Sequence, residues 1–338
     1  MTGKERITTA LQLGTPDQIP TFEWFIDAAV GKSLTGETDA IEVVDALDID
    51  GINIRPDYSQ ERIDDSTFLD EWGIKRRLTG DCIPCVVESP ISDINAHAAF
   101  KFPDPKASHR FATLERALKR FGDKRAVILN LRDGFSDMRD LLGYEDALVQ
   151  LMLDPERYSE MLNRVVDFNL ELAQTACSRY GIKLIATTDD VANANGLLLP
   201  PDQYFEIIGP AFRRVIGGYR DLGCHVIKHC DGDINKLVDF WIDSGISCLD
   251  PIDPSAGLEM GDFKKRYGGK ICLKGNINCA GSLQFGTETD VENEVKECIL
   301  QGGRNGLILS SSNTIHRGVK PANYRAMLNT LKNSGGSK

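Results

Sequence analysis

Eight short apolar runs constrain this chain more than any other feature. They fall at 19–24, 51–55, 125–131, 183–187, 224–228, 246–249, 270–274 and 306–310, and each is followed, directly or after an interruption, by a stretch with helical periodicity. Most of the runs place apolar side chains at successive positions, not only at alternate ones. Strands of that kind are covered on both faces, as parallel strands beneath helices are. Eight strand–helix units with right-handed crossovers predict an α/β fold, a (β/α)8 TIM barrel, preceded by a helix over 4–13. A doubly wound sheet is the alternative. It calls for a glycine-rich phosphate loop after its first strand, where this chain has Phe22-Glu23-Trp24-Phe25.

One stretch breaks the alternation. Residues 57–108 are irregular and too poor in apolar residues to form a core, so they are expected as an insertion after the second strand, with a hairpin of 69–78 against 82–88. The expected organisation is a single barrel domain over 1–338, with a short tail at 334–338.

Charge and composition exclude several classes of function. A formal net charge of −11 argues against non-specific binding to nucleic acid or to an anionic membrane. An anionic substrate would then need local positive charge, from a metal or from an arginine such as Arg132. No run approaches a membrane span and residues 1–6 carry no apolar leader, so the expected location is the cytoplasm. The nine cysteines are scattered through apolar runs, and most are expected as buried thiols. Cys82 and Cys85 form a C-x-x-C pair, but Pro84 lies between them, Ile83 and Val86 flank it, and no second pair completes a zinc site. A strand is expected there.

Barrel enzymes place their chemistry at the C-terminal ends of their strands. Those ends carry Glu23 and Trp24; Arg55 and Asp57; Asn130, Arg132 and Asp133; Asp189 and Asp190; His229 and Asp231; Asp250 and Asp253; Asn276 and Cys279; and Ser312, Asn313 and His316. The fifth end, His229-Cys230-Asp231-Gly232, turns abruptly from apolar to metal-capable. His229, Asp231 and Cys279 are of the types that hold zinc, with Asp250 or Glu23 as substitutes for Asp231. An ordinary core histidine and a buried thiol are the plain alternatives for His229 and Cys279. Cys230 points away from its neighbours in an extended backbone and is expected to pack. Asp189, Asn276 and Asn313 are candidate substrate contacts. Phe22 and Trp24 are candidate walls for a flat substrate, or else core aromatics. Arg132 is either a carboxylate clamp or the partner of Asp133 or Asp137.

Further residues carry a resemblance. Lys4-Glu5-Arg6-Ile7 with Pro16-Asp17-Gln18-Ile19-Pro20, Asp189-Asp190 with Asn195-Gly196-Leu197-Leu198, His229-Cys230-Asp231-Gly232, Gly275-Asn276, and Gly318-Val319-Lys320-Pro321 together resemble the uroporphyrinogen decarboxylase superfamily. That group also contains corrinoid-dependent methyltransferases. Its decarboxylases grip many carboxylates with an arginine-rich segment after the first strand, where this chain is acidic and aromatic. Its thiol-methylating branch carries His-x-Cys and a later Cys, where this chain has Asp231 and Ser312-Asn313. The resemblance therefore implies the branch that takes a methyl group from a small donor, a methoxylated aromatic (O-demethylation), and passes it to the Co(I) corrinoid of a partner protein. The cobalamin belongs to that partner, because the Asp-x-His-x-x-Gly signature is absent here. Zinc would polarise the ether oxygen. Glu23 or Asp190 would supply a proton, and Arg132 would orient a substrate carboxylate. Superfamily members are often dimers, so a homodimer is among the expectations. A cofactor-free decarboxylase of a small aromatic or porphyrinogen acid and a non-catalytic binding barrel are the rival functions.

Overall fold

Seven of the apolar runs form one parallel sheet: β1 (Gly51–Ile54), β2 (Ala126–Leu131), β3 (Leu184–Thr188), β4 (His225–His229), β5 (Cys248–Asp250), β6 (Cys272–Ile277) and β7 (Leu307–Ser311). They pair in chain order, and helices cover the outer face. The computed structural model describes residues 1–79 and 84–335. From β3 onward the strands end one to three residues later than the apolar runs do. His229, Asp250 and Asn276 therefore lie on strands and are fixed by ladder hydrogen bonds.

The first run behaves differently. Residues 19–27 close the gap between β7 and β1, but they pair through scattered bonds and not through a ladder. Pro20 O accepts from Leu309 N at 3.0 Å, and Thr21 O from Asp50 N at 3.1 Å. A lone parallel bridge joins Ile26 to Ile315. The reason is local. Pro20 has no N–H to give, Thr21 N donates to the Asp50 carboxylate, and Trp24 O is taken by the Asn53 side chain. Side chains thus occupy groups that a regular strand would use, and the expected eighth strand is an extended seam.

Three helices follow β2: Phe135–Leu142, Tyr144–Leu153 and Pro155–Tyr180. Gly143, at φ 94°, and the Asp154-Pro155 step make the breaks. The insertion holds more structure than a hairpin. Gln60–Arg62, Thr67–Asp70, Lys75–Arg77 and Cys85–Glu88 form an antiparallel sheet in that order. Its last two strands are the expected hairpin, and Cys85 lies on one of them; Cys82 is outside the described residues. Arg76, bonded within the sheet to Asp70 at 2.8 Å, fastens it to the barrel by bonding Asp140 at 2.9 Å.

The barrel interior is unusually polar. Lys228 and Lys274 are buried within strands, paired with Asp133 at 2.7 Å and Asp250 at 2.9 Å. Burying such ions is tolerable only where partners and further hydrogen bonds replace water. Six of the eight described cysteines are buried, as the sequence implies. Among the described residues, no helix is long and apolar enough to cross a membrane.

Candidate functional site

His229 ends β4, and its register partner on β5 is Asp250. That pairing sets Nδ1 of the imidazole 2.8 Å from one Asp250 oxygen. Lys274 Nζ donates to the other oxygen, and the Trp24 indole N–H also donates to this carboxylate. Trp24 stands edge-on to the imidazole, with ring centroids 4.5 Å apart. Burial disfavours a charge on Asp250, but Lys274 and His229 outweigh it and hold the group below the usual carboxylate range. The aspartate thus fixes the orientation of the imidazole and leaves Nε2 facing the rim.

Across the rim, Nε2 meets Asp231 Oδ1 at 3.4 Å. Ligand atoms of Asp190, His229 and Asp231 lie within 4.8 Å of one another, the one group of this kind among the described residues. Asp190 Oδ1 accepts from Asp231 N at 3.1 Å, and Asn313 Nδ2 donates to Asp231 Oδ2. Asp231 Oδ1 itself is buried and receives no hydrogen bond. A buried carboxylate oxygen without a donor, beside an imidazole nitrogen whose opposite nitrogen is tied to a carboxylate, fits a divalent metal such as zinc. Burial opposes a proton on His229, but Asp231 and Asp250 prevail and raise its pKa to about 10. A metal entering this group would take the place of that proton.

Gly232 lets the chain turn straight after Asp231. Its φ is +90°, and an added Cβ would lie 2.5 Å from the Asn193 backbone. Asp233 N donates to Asn193 O at 2.9 Å, which seals this turn against the loop after β3. The turn and that loop border a cavity of about 490 Å³, whose lining includes Asp231, Asp253, Cys279, Ser312, Asn313 and His316.

The other expected site residues are distributed unevenly. Cys279 shares this cavity but stands apart from the Asp–His–Asp group. Its thiol accepts from Ser312 Oγ at 3.4 Å, and burial raises its pKa against the pull of that hydroxyl. Glu23 lies in the closing seam. Ser311 donates to it from both hydroxyl and backbone. Burial lifts its pKa to about 7, although Lys274 and Ser311 oppose the rise. Asp189 is fully buried and far from free: its two oxygens accept from Phe135 N and Ser136 N at 2.7 and 2.9 Å, capping a helix start. Phe22 is fully buried, with the Lys274 ammonium 4.6 Å from its ring centre. Asn276 is half-buried on β6 and lines neither this cavity nor the chamber that holds Arg132. Arg132 bonds Asp137 at 3.1 Å and Asp140 at 2.9 Å, in a separate chamber. Cys230 packs in the core, as expected.

Two roles at the site differ from the sequence reading, which has Asp250 as a possible zinc ligand and gives Lys274 no part. Lys274 is the buried counter-ion of the His229–Asp250 pair, and its signal is a lysine inside an otherwise apolar run. Asp250 supports the imidazole and is not one of its rim neighbours, a role that only strand register reveals.

Fold and rim together define an α/β barrel with a metal-capable polar cluster at the C-terminal ends of its strands. The uroporphyrinogen decarboxylase (URO-D) family matches residues 63–334, and the chain belongs to that family. It is 24% identical over 219 residues to the methylated-thiol–coenzyme M methyltransferase of Methanosarcina mazei, covering 65% of this chain. The chain spans 56% of the length of that curated relative. A solved methyltransferase from Methanosarcina mazei has the same fold, with a TM-score of 0.80 at 16% identity and 99% of both chains covered.

Proposed function

We propose that the protein is a corrinoid-dependent methyltransferase. It takes a methyl group from a small methoxylated aromatic and delivers it to the corrinoid of a partner protein. The carrying observation is the Asp190–His229–Asp231 group at the edge of the 490 Å³ cavity. Family membership and the methyltransferase relative support the class of reaction. Phe22 and Trp24 are buried and line neither cavity, so they are core aromatics and not substrate walls; the aromatic donor rests on Asp231 and Asn313 at the rim, where a thiol-methylating site would carry cysteines.

Asp190, His229 and Asp231 would hold zinc, which when bound supplies Lewis acidity at the ether oxygen. Asp250 keeps Nδ1 of His229 engaged, so that Nε2 is the nitrogen offered to the rim. Asn313 fixes one Asp231 oxygen and leaves the other for the ion. With Asp190 in the metal group, Glu23 is the better proton source. Burial raises the pKa of its carboxyl to about 7, and the group is hydrogen-bonded to Ser311, the neighbour of cavity-lining Ser312. Cys279 and His316 also line the cavity.

The test is methyl transfer from 4-methoxybenzoate to free cob(I)alamin, followed by the visible spectrum of methylcobalamin. The zinc-loaded protein should form methylcobalamin, and His229→Ala should reduce the rate by about 100-fold or more. No methylcobalamin with any of a panel of methoxybenzenes would exclude ether cleavage. Carbon dioxide release without corrinoid would point to the rival decarboxylase.

A further inference from the structure

A second chamber, of about 400 Å³, lies beneath the four-stranded insertion sheet, over the ends of β1, β2 and β3. Its walls combine apolar surface, from Trp72, Ile74 and Leu131, with three arginines: Arg55, Arg76 and Arg132. Two of the arginines are engaged. Arg76 is held by Asp70 and Asp140, and Arg132 by Asp137 and Asp140. The fourth carboxylate of the wall, Asp57, is turned to Thr113, whose N–H and hydroxyl it accepts at 2.7 Å each.

Arg55 differs. Among the described residues it has no ion pair and no side-chain hydrogen bond, and its side chain is accessible. Protein nevertheless surrounds it: burial, then Arg132 and Arg76, disfavour its charge and lower its pKa. Asn130 adds a second observation. It is 4% exposed, its Oδ1 accepts from Thr188, and its Nδ2 is buried with no partner. An unpaired guanidinium and an orphaned amide donor therefore share one chamber with an indole wall. A buried donor without an acceptor is destabilising, and a bound acceptor relieves it. An acid group on an apolar body meets all three features at once.

We propose that this chamber binds a small organic anion, a carboxylate or sulfonate on an apolar body, with Arg55 on the acid group and Asn130 as a further donor. The anion is the methyl donor: Thr188 lines this chamber and is the register partner of His229, so an acid group held here would leave the ether end directed toward the metal group, and this assignment deepens the proposed function and rests on it for that step. Binding alone does not depend on it. The insertion then acts as the roof that gives a strongly acidic protein a place for an acidic substrate.

The experiment is calorimetric titration of the full chain with 4-methoxybenzoate, 4-methoxybenzenesulfonate and the neutral 4-methoxybenzamide. At least one acid should bind 10-fold or more tighter than the amide, and the two acid arms tell carboxylate from sulfonate. Arg55→Gln should remove that preference while leaving the melting temperature in place, and Arg55→Lys should restore part of it. Equal binding of acids and amide, or unchanged acid binding by Arg55→Gln, overturns the chamber. If the acid binds through Arg55 yet yields no methylcobalamin, the chamber stands and the proposed reaction fails. If neutral donors react as well as acids and Arg55→Gln is as active as the parent, the reaction stands and the chamber fails.

Discussion

Lys274 shows how much of the site rests on a residue that never touches the cavity. Its ammonium is fully buried, 2.9 Å from Asp250 and 4.6 Å from the centre of the Phe22 ring. Removing one member of a buried ion pair leaves an uncompensated charge, so Lys274→Met should destabilise the fold by about 3–5 kcal/mol, read from urea unfolding. A change below about 1 kcal/mol would show that His229 and Trp24 suffice to hold Asp250. Glu23 gives a pH signature. Its folded pKa, about 7, lies above the ordinary 4.5, so the folded state keeps a proton that the unfolded chain loses. Its contribution is therefore complete below about pH 4.5 and is lost as pH rises through about 7. Glu23→Gln should flatten the fall of melting temperature across that window. An unchanged pH profile would mean that Glu23 is ionised in the fold. At this scale the sequence names candidates better than it sorts them. His229 and Asp231 stand out because polar residues end an apolar run. Asp189 stands out for the same reason, yet its carboxylate caps a helix, and nothing in a linear string tells a cap from a ligand.

Strands and helices were more legible than side-chain roles. Seven runs are strands because consecutive apolar residues suit a sheet buried on both faces, and their helices follow in the expected places. The first run misled because hydrophobicity does not record which backbone groups are already taken. Pro20, Asp50 and Asn53 decide that, and they make it a seam. Gly232 is the element-scale counterpart of Lys274. Its positive φ and close approach to Asn193 place Asp231 on the rim. Gly232→Ala should cost about 1–3 kcal/mol from backbone strain alone, and more from the clash. Zinc affinity should fall with it, measured by competition with a chromophoric chelator. A variant with full stability and full affinity would show that the turn has another way to close.

On the scale of the whole molecule, the chain places two chemically distinct spaces at one end of the barrel. One carries the Asp–His–Asp group, the other an unpaired arginine under a roof of inserted strands. The eight-fold alternation made the barrel and its functional end legible. The division of that end was not, because Arg55, Arg76 and Arg132 lie apart in sequence and only the fold decides which of them keeps a carboxylate. Asp190 entered the metal group for a similar reason: the turn after β4 brings the backbone of Asp231 onto its carboxylate. The central claim is that Asp190, His229 and Asp231 form a zinc centre, and zinc stoichiometry tests it most directly. After gentle purification and zinc loading, the parent chain should hold about one equivalent, Cys279→Ser and Arg55→Gln should keep it, and Asp190→Ala and His229→Ala should lose it. Less than about half an equivalent in the parent, or full retention by His229→Ala, would contradict the claim.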